Sequence, residues 1–153
     1  MFKIISLKAL EVLDSRGNYT IEARVETKEG FFSSIAPSGL SKGSFEAFSM
    51  PSRKAVYSIN KIIARKIAGK SFEGMREIDD FLKDLDGTKR KARLGANSLL
   101  AVSIACAKAI AFSKKLLLFQ YVGRLSGRKN LIPLPLMNLI NSGLHSGEKN
   151  SFQ

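Results

Sequence analysis

Apolar positions along this chain follow two different periods. Between Tyr19 and Glu26 the alternation is strict: Tyr19, Ile21, Ala23 and Val25 fall on one face, and Thr20, Glu22, Arg24 and Glu26 on the other. A period of two predicts a half-buried strand. Turn chemistry precedes it, Asp14-Ser15-Arg16-Gly17-Asn18, and follows it, Lys28-Glu29-Gly30. Strands are therefore expected over 3–13, 18–27 and 31–36, and their short connections imply an antiparallel meander. Pro37-Ser38-Gly39-Leu40-Ser41-Lys42-Gly43-Ser44 then breaks all periodicity. It reads either as a mobile loop offering hydroxyl ligands or as a plain Ser/Gly connector. Beyond it the period changes to three or four. Val56, Ile59, Ile63 and Ile67 predict one helix; Met75, Ile78, Phe81 or Leu82, and Leu85 predict a second that stops at Gly87. A third, with Asn97 as its cap, runs to about Lys115, and being apolar nearly all round it should be the central buried helix. A short fourth, 117–125, ends at Ser126-Gly127. The fold class is α+β, a three-stranded antiparallel meander followed by a helical bundle.

The last part changes character. Leu131-Ile132-Pro133-Leu134-Pro135-Leu136-Met137-Asn138-Leu139-Ile140 is densely apolar with two prolines. Proline excludes a helix and leaves 136–141 as a candidate strand. A strand apolar on both faces belongs in a parallel sheet covered on both sides, and no later residue is expected to supply that sheet. The chain thus divides into a domain over 1–130 and the start of a second over 131–153, an orphan first strand.

Composition narrows the classes. The net charge is +12, yet residues 1–50 balance six Lys/Arg against six Asp/Glu while 51–153 carry nineteen against seven. The basic runs are Lys89-Arg90-Lys91 with Arg93, Lys114-Lys115, and Arg128-Lys129. Such a surface attracts nucleic acid or another acidic partner, or is simply a set of solvated helix ends and loops. No aromatic interleaving or nucleic-acid motif accompanies it. The N-terminus turns polar too early for a secretory leader, and the longest apolar stretch, 99–107, is shorter than the roughly 18 residues of a membrane span. A cytoplasmic chain without membrane attachment is expected. The lone Cys106 sits among small apolar residues and reads as a buried thiol.

Four stretches, in order, resemble the enolase family. Asp14-Ser15-Arg16-Gly17-Asn18-Tyr19-Thr20-Ile21-Glu22 is similar to an opening motif with proline at the place of Tyr19. Pro37-Ser38-Gly39-Leu40-Ser41-Lys42-Gly43 resembles the family's mobile metal loop, and Leu85-Asp86-Gly87-Thr88 with Leu94-Gly95-Ala96-Asn97 resembles two helix-end motifs. Asn138-Leu139-Ile140-Asn141-Ser142-Gly143-Leu144-His145-Ser146-Gly147 resembles an active-site loop. The resemblance implies the small α+β domain that packs on a barrel of β and α units. It also implies the reversible dehydration of 2-phosphoglycerate to phosphoenolpyruvate in glycolysis and gluconeogenesis. There a lysine removes the proton beside the carboxylate, two Mg²⁺ ions hold the dianion, and glutamates handle the leaving hydroxyl. By the same resemblance Ser41 is the loop serine that closes over substrate and ligates the second Mg²⁺, Gly39 and Gly43 are its hinges, and His145 lies at the substrate pocket. Lys42, Ser142 and Leu144 depart from the family's usual residues. The catalytic glutamates, the carboxylate ligands of the first Mg²⁺ and both active-site lysines match positions past Gln153.

The resemblance therefore implies a part that needs a separate barrel polypeptide, with an enolase-type dimer possible, and that is inactive alone and binds Mg²⁺ weakly or not at all. Two alternatives stand beside it: a non-catalytic basic binder of RNA or another polyanion on the same fold, and a truncated gene remnant.

Overall fold

The computed structural model describes residues 1–39, 43–128, 131–137 and 139. Three antiparallel strands, β2 (Ser6–Leu13), β3 (Tyr19–Thr27) and β4 (Gly30–Ile35), form a meander in the order β2-β3-β4. Leu13 pairs with Tyr19, and Thr27 with Gly30. The alternation read along β3 is realised: Ile21, Ala23 and Val25 are fully buried, whereas Tyr19, at the strand's end, is exposed.

The expected first strand, 3–13, is divided. Phe2–Lys3 (β1) leaves the meander and pairs with a short strand that the hydrophobic pattern does not predict, Ser71–Phe72 (β5). The switch occurs at Ile4, whose N–H donates to Lys70 O at 3.0 Å and whose carbonyl accepts from Gly69 at 2.7 Å, while Ile5 N–H already donates to Glu26 O. Each residue satisfies its backbone on a different sheet, and that ends one strand and begins the next.

A continuous helix covers 52–67: α1 (Ser52–Tyr57), a π-helical stretch (Ser58–Ile63) and α2 (Ala64–Ile67). Ile59, Ile63 and Ile67 are buried as the spacing requires. The wide π turn also sets Asn60 against β2, where its amide donates to Ala9 O at 3.0 Å and accepts Ala9 N–H at 2.8 Å. That pairing covers part of an edge strand with a side chain.

After β5 come α3 (Met75–Asp86), α4 (Ala96–Ser113) and α5 (Leu118–Ser126). Gly87 and Gly127 close α3 and α5 in the left-handed conformation. The helix α4 packs on β3 and β4 and against α3 and α5, so it is central. It is not buried all round, because Leu100 and Phe112 are exposed. Its 18 residues are apolar enough by composition to cross a bilayer, but half of it is committed to this core. Cys106 lies within that core, and burial pushes its thiol pKa up to about 12, so it stays protonated and inert.

Residues 131–137 and 139 contain no strand, and Leu131, Ile132, Leu134, Leu136, Met137 and Leu139 are all exposed. The rest of the candidate strand 136–141 lies outside the described residues. Among the described residues no sheet edge accepts this segment, and a backbone without a ladder partner does not register as a strand.

Candidate functional site: a loop held by both ends

The segment 37–44 leaves β4 and returns toward α1, and each of its ends is fastened by a different sequence motif. On the side of β4, Ala36 N–H donates to Ile21 O at 3.0 Å, and the buried Thr20 hydroxyl donates to Ala36 O at 2.6 Å. Two residues on, the Ser38 hydroxyl donates to Asp14 Oδ2 at 2.5 Å, while Asp14 Oδ1 accepts the N–H groups of Arg16 and Asn18, both at 2.9 Å. One carboxylate therefore shapes the β2–β3 turn and holds the start of the loop. The Ser38 hydroxyl, and after it the two N–H donors, keep the Asp14 carboxyl below its ordinary value.

The other end lies on the connection between α3 and α4. Phe48 N–H donates to Arg90 O and Ala96 N–H to Phe48 O, both at 2.7 Å, and the Arg90 guanidinium donates to Glu46 O at 3.1 Å. Asn97 pairs with the Met50 backbone in both directions, accepting its N–H at 3.0 Å and donating to its carbonyl at 2.9 Å. This corrects the expected role of Asn97 as the cap of α4. The cap position is Gly95, which carries no side-chain cap, and Asn97 sits inside the helix with its amide turned onto Met50. A terminal N–H of the helix is satisfied instead by the loop stem, through Phe48 O.

Gly95 shows why the motif needs glycine. Its φ is +91°, and a Cβ there would stand 2.8 Å from Asn97 Oδ1 and 2.9 Å from Met50 Cγ. Both the backbone conformation and the close approach exclude a side chain. Asp86, buried at the end of α3, organises the same connection by accepting the N–H of Thr88 at 3.0 Å, the Thr88 hydroxyl, and the N–H of Leu94 at 2.8 Å. Burial alone would raise its pKa; these donors and nearby Lys91 outweigh that and leave it lowered.

Below both stems lies a groove of about 450 Å³ whose lining includes Pro37 and Ser49 from the stems and Leu82, Asn97, Leu99 and Leu100 from the helices.

Of the expected site residues, Gly39 and Gly43 lie at the two ends of the loop and are exposed. A Cβ at Gly43 would meet Glu46 Cγ at 3.8 Å, an ordinary contact, so space does not demand glycine in this conformation. Ser41 and His145 lie outside the described residues, as do Lys42 and most of the stretch 138–147. The groups that fasten the loop, Asp14 with Ser38, Arg90 and Asn97, and Asp86, which shapes the connection one stem rests on, are not marked for those tasks by sequence. Their signal is present in the motifs, but a motif names residues and not the backbone groups that they hold.

Among the described residues no cluster of three His, Cys, Asp or Glu side chains is placed to hold a metal ion. Asp14, at the start of the loop, is one carboxylate already engaged by three donors, too few ligands for Mg²⁺, so these residues do not fit a Mg²⁺ site by themselves.

The family model for the enolase N-terminal domain ("Enolase, N-terminal domain") matches residues 4–122. The chain belongs to the enolase family. It is 43% identical over 162 aligned positions to the enolase of Pyrococcus furiosus, covering 99% of this chain and 37% of that protein. It is 41% identical to enolase B of Dictyostelium discoideum, over 98% of this chain and 37% of the relative, and 42% identical to the enolase of Methanococcus maripaludis, over 99% and 38%. The chain thus spans less than two-fifths of the length of these enolases, and the α+β meander and helices are the enolase N-terminal domain.

Proposed function

We propose that this chain acts as the N-terminal part of an enolase in the cytoplasm. It contributes the loop around Ser41 and the imidazole of His145 to the dehydration of 2-phosphoglycerate to phosphoenolpyruvate. The observation that carries this reading is the double fastening of the loop, by Asp14 at one end and by Arg90 and Asn97 at the other. A loop whose stems are fixed suits a lid, which must return to one closed position and exclude water on arrival.

In the complete enzyme Mg²⁺ would supply the concentrated positive charge that an enolate beside a carboxylate requires. Ser41 would offer a hard oxygen ligand to the second ion, and His145 would act as the catalytic histidine at the substrate pocket. The remaining ligands and the proton-transfer groups come from a barrel-domain enolase polypeptide, the required partner, and the pair assembles as an enolase-type dimer. Alone, the chain turns over no substrate and binds Mg²⁺ weakly.

Co-expression with a barrel-only enolase fragment tests this. The expected result is a complex that forms phosphoenolpyruvate when given Mg²⁺ and 2-phosphoglycerate. Ser41→Ala or His145→Ala should lower its turnover about 100-fold or more, the scale of a lost group acting in the transition state. No complex and no turnover, or full turnover by this chain unaided, would overturn the proposal.

A further inference from the structure

The helix over 52–67 presents a basic stripe that neither the lid nor the core uses. Between Glu46 and Glu73 the sequence has six basic residues, Arg53, Lys54, Lys61, Arg65, Lys66 and Lys70, and no acidic one. All six are exposed, while Ala55, Ile59, Ile63 and Ile67 bury the opposite face. Tyr57, 61% exposed, stands between Arg53 and Lys61. In a regular α-helix, positions four apart drift by about 40° per step. The π-helical stretch turns less per residue and draws Tyr57, Lys61 and Arg65 back toward one line. Glu11, in β2, reaches this helix at its first turn, accepting from the Ser52 hydroxyl at 2.5 Å and lying 3.7 Å from Arg53 Nε. Among the described residues no carboxylate lies within ion-pair distance of Lys54, Lys61, Arg65 or Lys66.

In the run Lys89-Arg90-Lys91 two members are engaged by the backbone: Arg90 donates to Glu46 O of the loop stem, and Lys91 to Thr88 O within its own connection. A membrane surface is disfavoured as the partner, because an interfacial helix inserts its apolar face, and here that face is sealed into the core. A cationic track with an exposed aromatic ring fits a single-stranded nucleic acid, whose phosphates follow the charge and whose bases stack on the ring.

We infer that the exposed face of the helix 52–67 is a binding track for single-stranded RNA, with Arg53, Lys54, Lys61 and Arg65 on phosphates and Tyr57 as a stacking platform. The reading is independent of the proposed catalytic role. The test is fluorescence anisotropy of the full chain with labelled single-stranded RNA of about 10 nucleotides, the scale of one such site, across a salt series. Affinity should fall linearly on a log–log salt plot, and the double variant Lys61→Gln/Arg65→Gln should reduce that slope by about 1.4, because two fewer phosphates of a single strand are then neutralised. Tyr57→Ala should weaken binding about tenfold at unchanged slope. The charge-preserving pair Lys61→Arg/Arg65→Lys should retain binding, and Arg124→Gln/Arg128→Gln at the C-terminal end of α5 and just past it should change it less than about twofold, as charges outside the track. Three results would overturn the inference: no binding in moderate salt, equal loss from the α5 pair and the helix pair, or tighter association with phosphatidylserine vesicles than with RNA.

Discussion

Two apolar-rich regions of this chain meet opposite fates. Over 52–113 most large aliphatic residues are buried in a core, with Ile59, Ile63, Ile67, Ile78 and Val102 at 0% exposure. In 131–139, Leu131, Ile132, Leu134, Leu136, Met137 and Leu139 stand at 79% exposure or more. Apolar content does not set the outcome, since the more apolar segment is the exposed one; available partners do. The helices bring a 3.6-residue period that gathers apolar residues onto one stripe, and the meander offers a surface for that stripe to cover. The segment 131–139 carries its apolar residues on both sides of an extended chain and meets no sheet among the described residues. A contiguous exposed apolar patch of this kind marks an interaction surface.

The sharpest way to break this comparison is to shorten one side chain in each region. Ile63→Ala removes a fully buried group and should cost about 2–5 kcal/mol in urea unfolding followed by circular dichroism, whereas Leu134→Ala should stay within about 0.5 kcal/mol. A comparable loss at Leu134 would mean that the segment is packed after all.

Gly95→Ala comes next, at about 2–4 kcal/mol, because the new methyl meets Asn97 and Met50 in a backbone conformation that disfavours it. A silent substitution there would show that the loop stem does not rest on α4. Asp86→Asn should cost about 1–3 kcal/mol, since an amide cannot accept all three donors. Its pH signature has a definite sign. The folded-state pKa of Asp86 lies below 3.8, so its stabilisation is complete above that value and is lost as pH falls through the lower folded value. The variant should therefore show a shallower acid-side loss of stability than the parent. Smallest in free energy is Asn97→Ala, about 1–2 kcal/mol for the two hydrogen bonds to Met50. Its clearer readout is faster proteolytic cleavage within 43–50, and unchanged cleavage would separate Asn97 from the loop.

Much of this was legible in the sequence, for reasons particular residues make plain. Alternation from Tyr19 to Glu26 and spacing from Ile59 to Ile67 are local signals, and both elements formed where expected. What escaped were non-local exchanges of backbone partner. The chain breaks at Ile4 because Gly69 and Lys70 come back to meet it, and nothing near Ile4 announces that. The π turn accompanies the pairing of Asn60 with Ala9, 51 residues away. Asn97 reads as a helix cap by residue type, yet its amide faces a carbonyl and an N–H brought in by the loop stem. The site was legible as motifs and not as geometry: Asp14, Asp86 and Asn97 each lie in a stretch that resembles enolase, and their tasks, holding the loop's stems or the connection one stem rests on, emerge only when the chain is folded.

Hydrogen exchange across residues 131–137, in this chain alone and with a barrel-only enolase fragment, tests the account most directly. These amides should exchange freely in the isolated chain and become protected in the mixture, as a barrel sheet takes up the segment. Protection already present in the isolated chain, or free exchange persisting in a mixture that forms phosphoenolpyruvate, would contradict it.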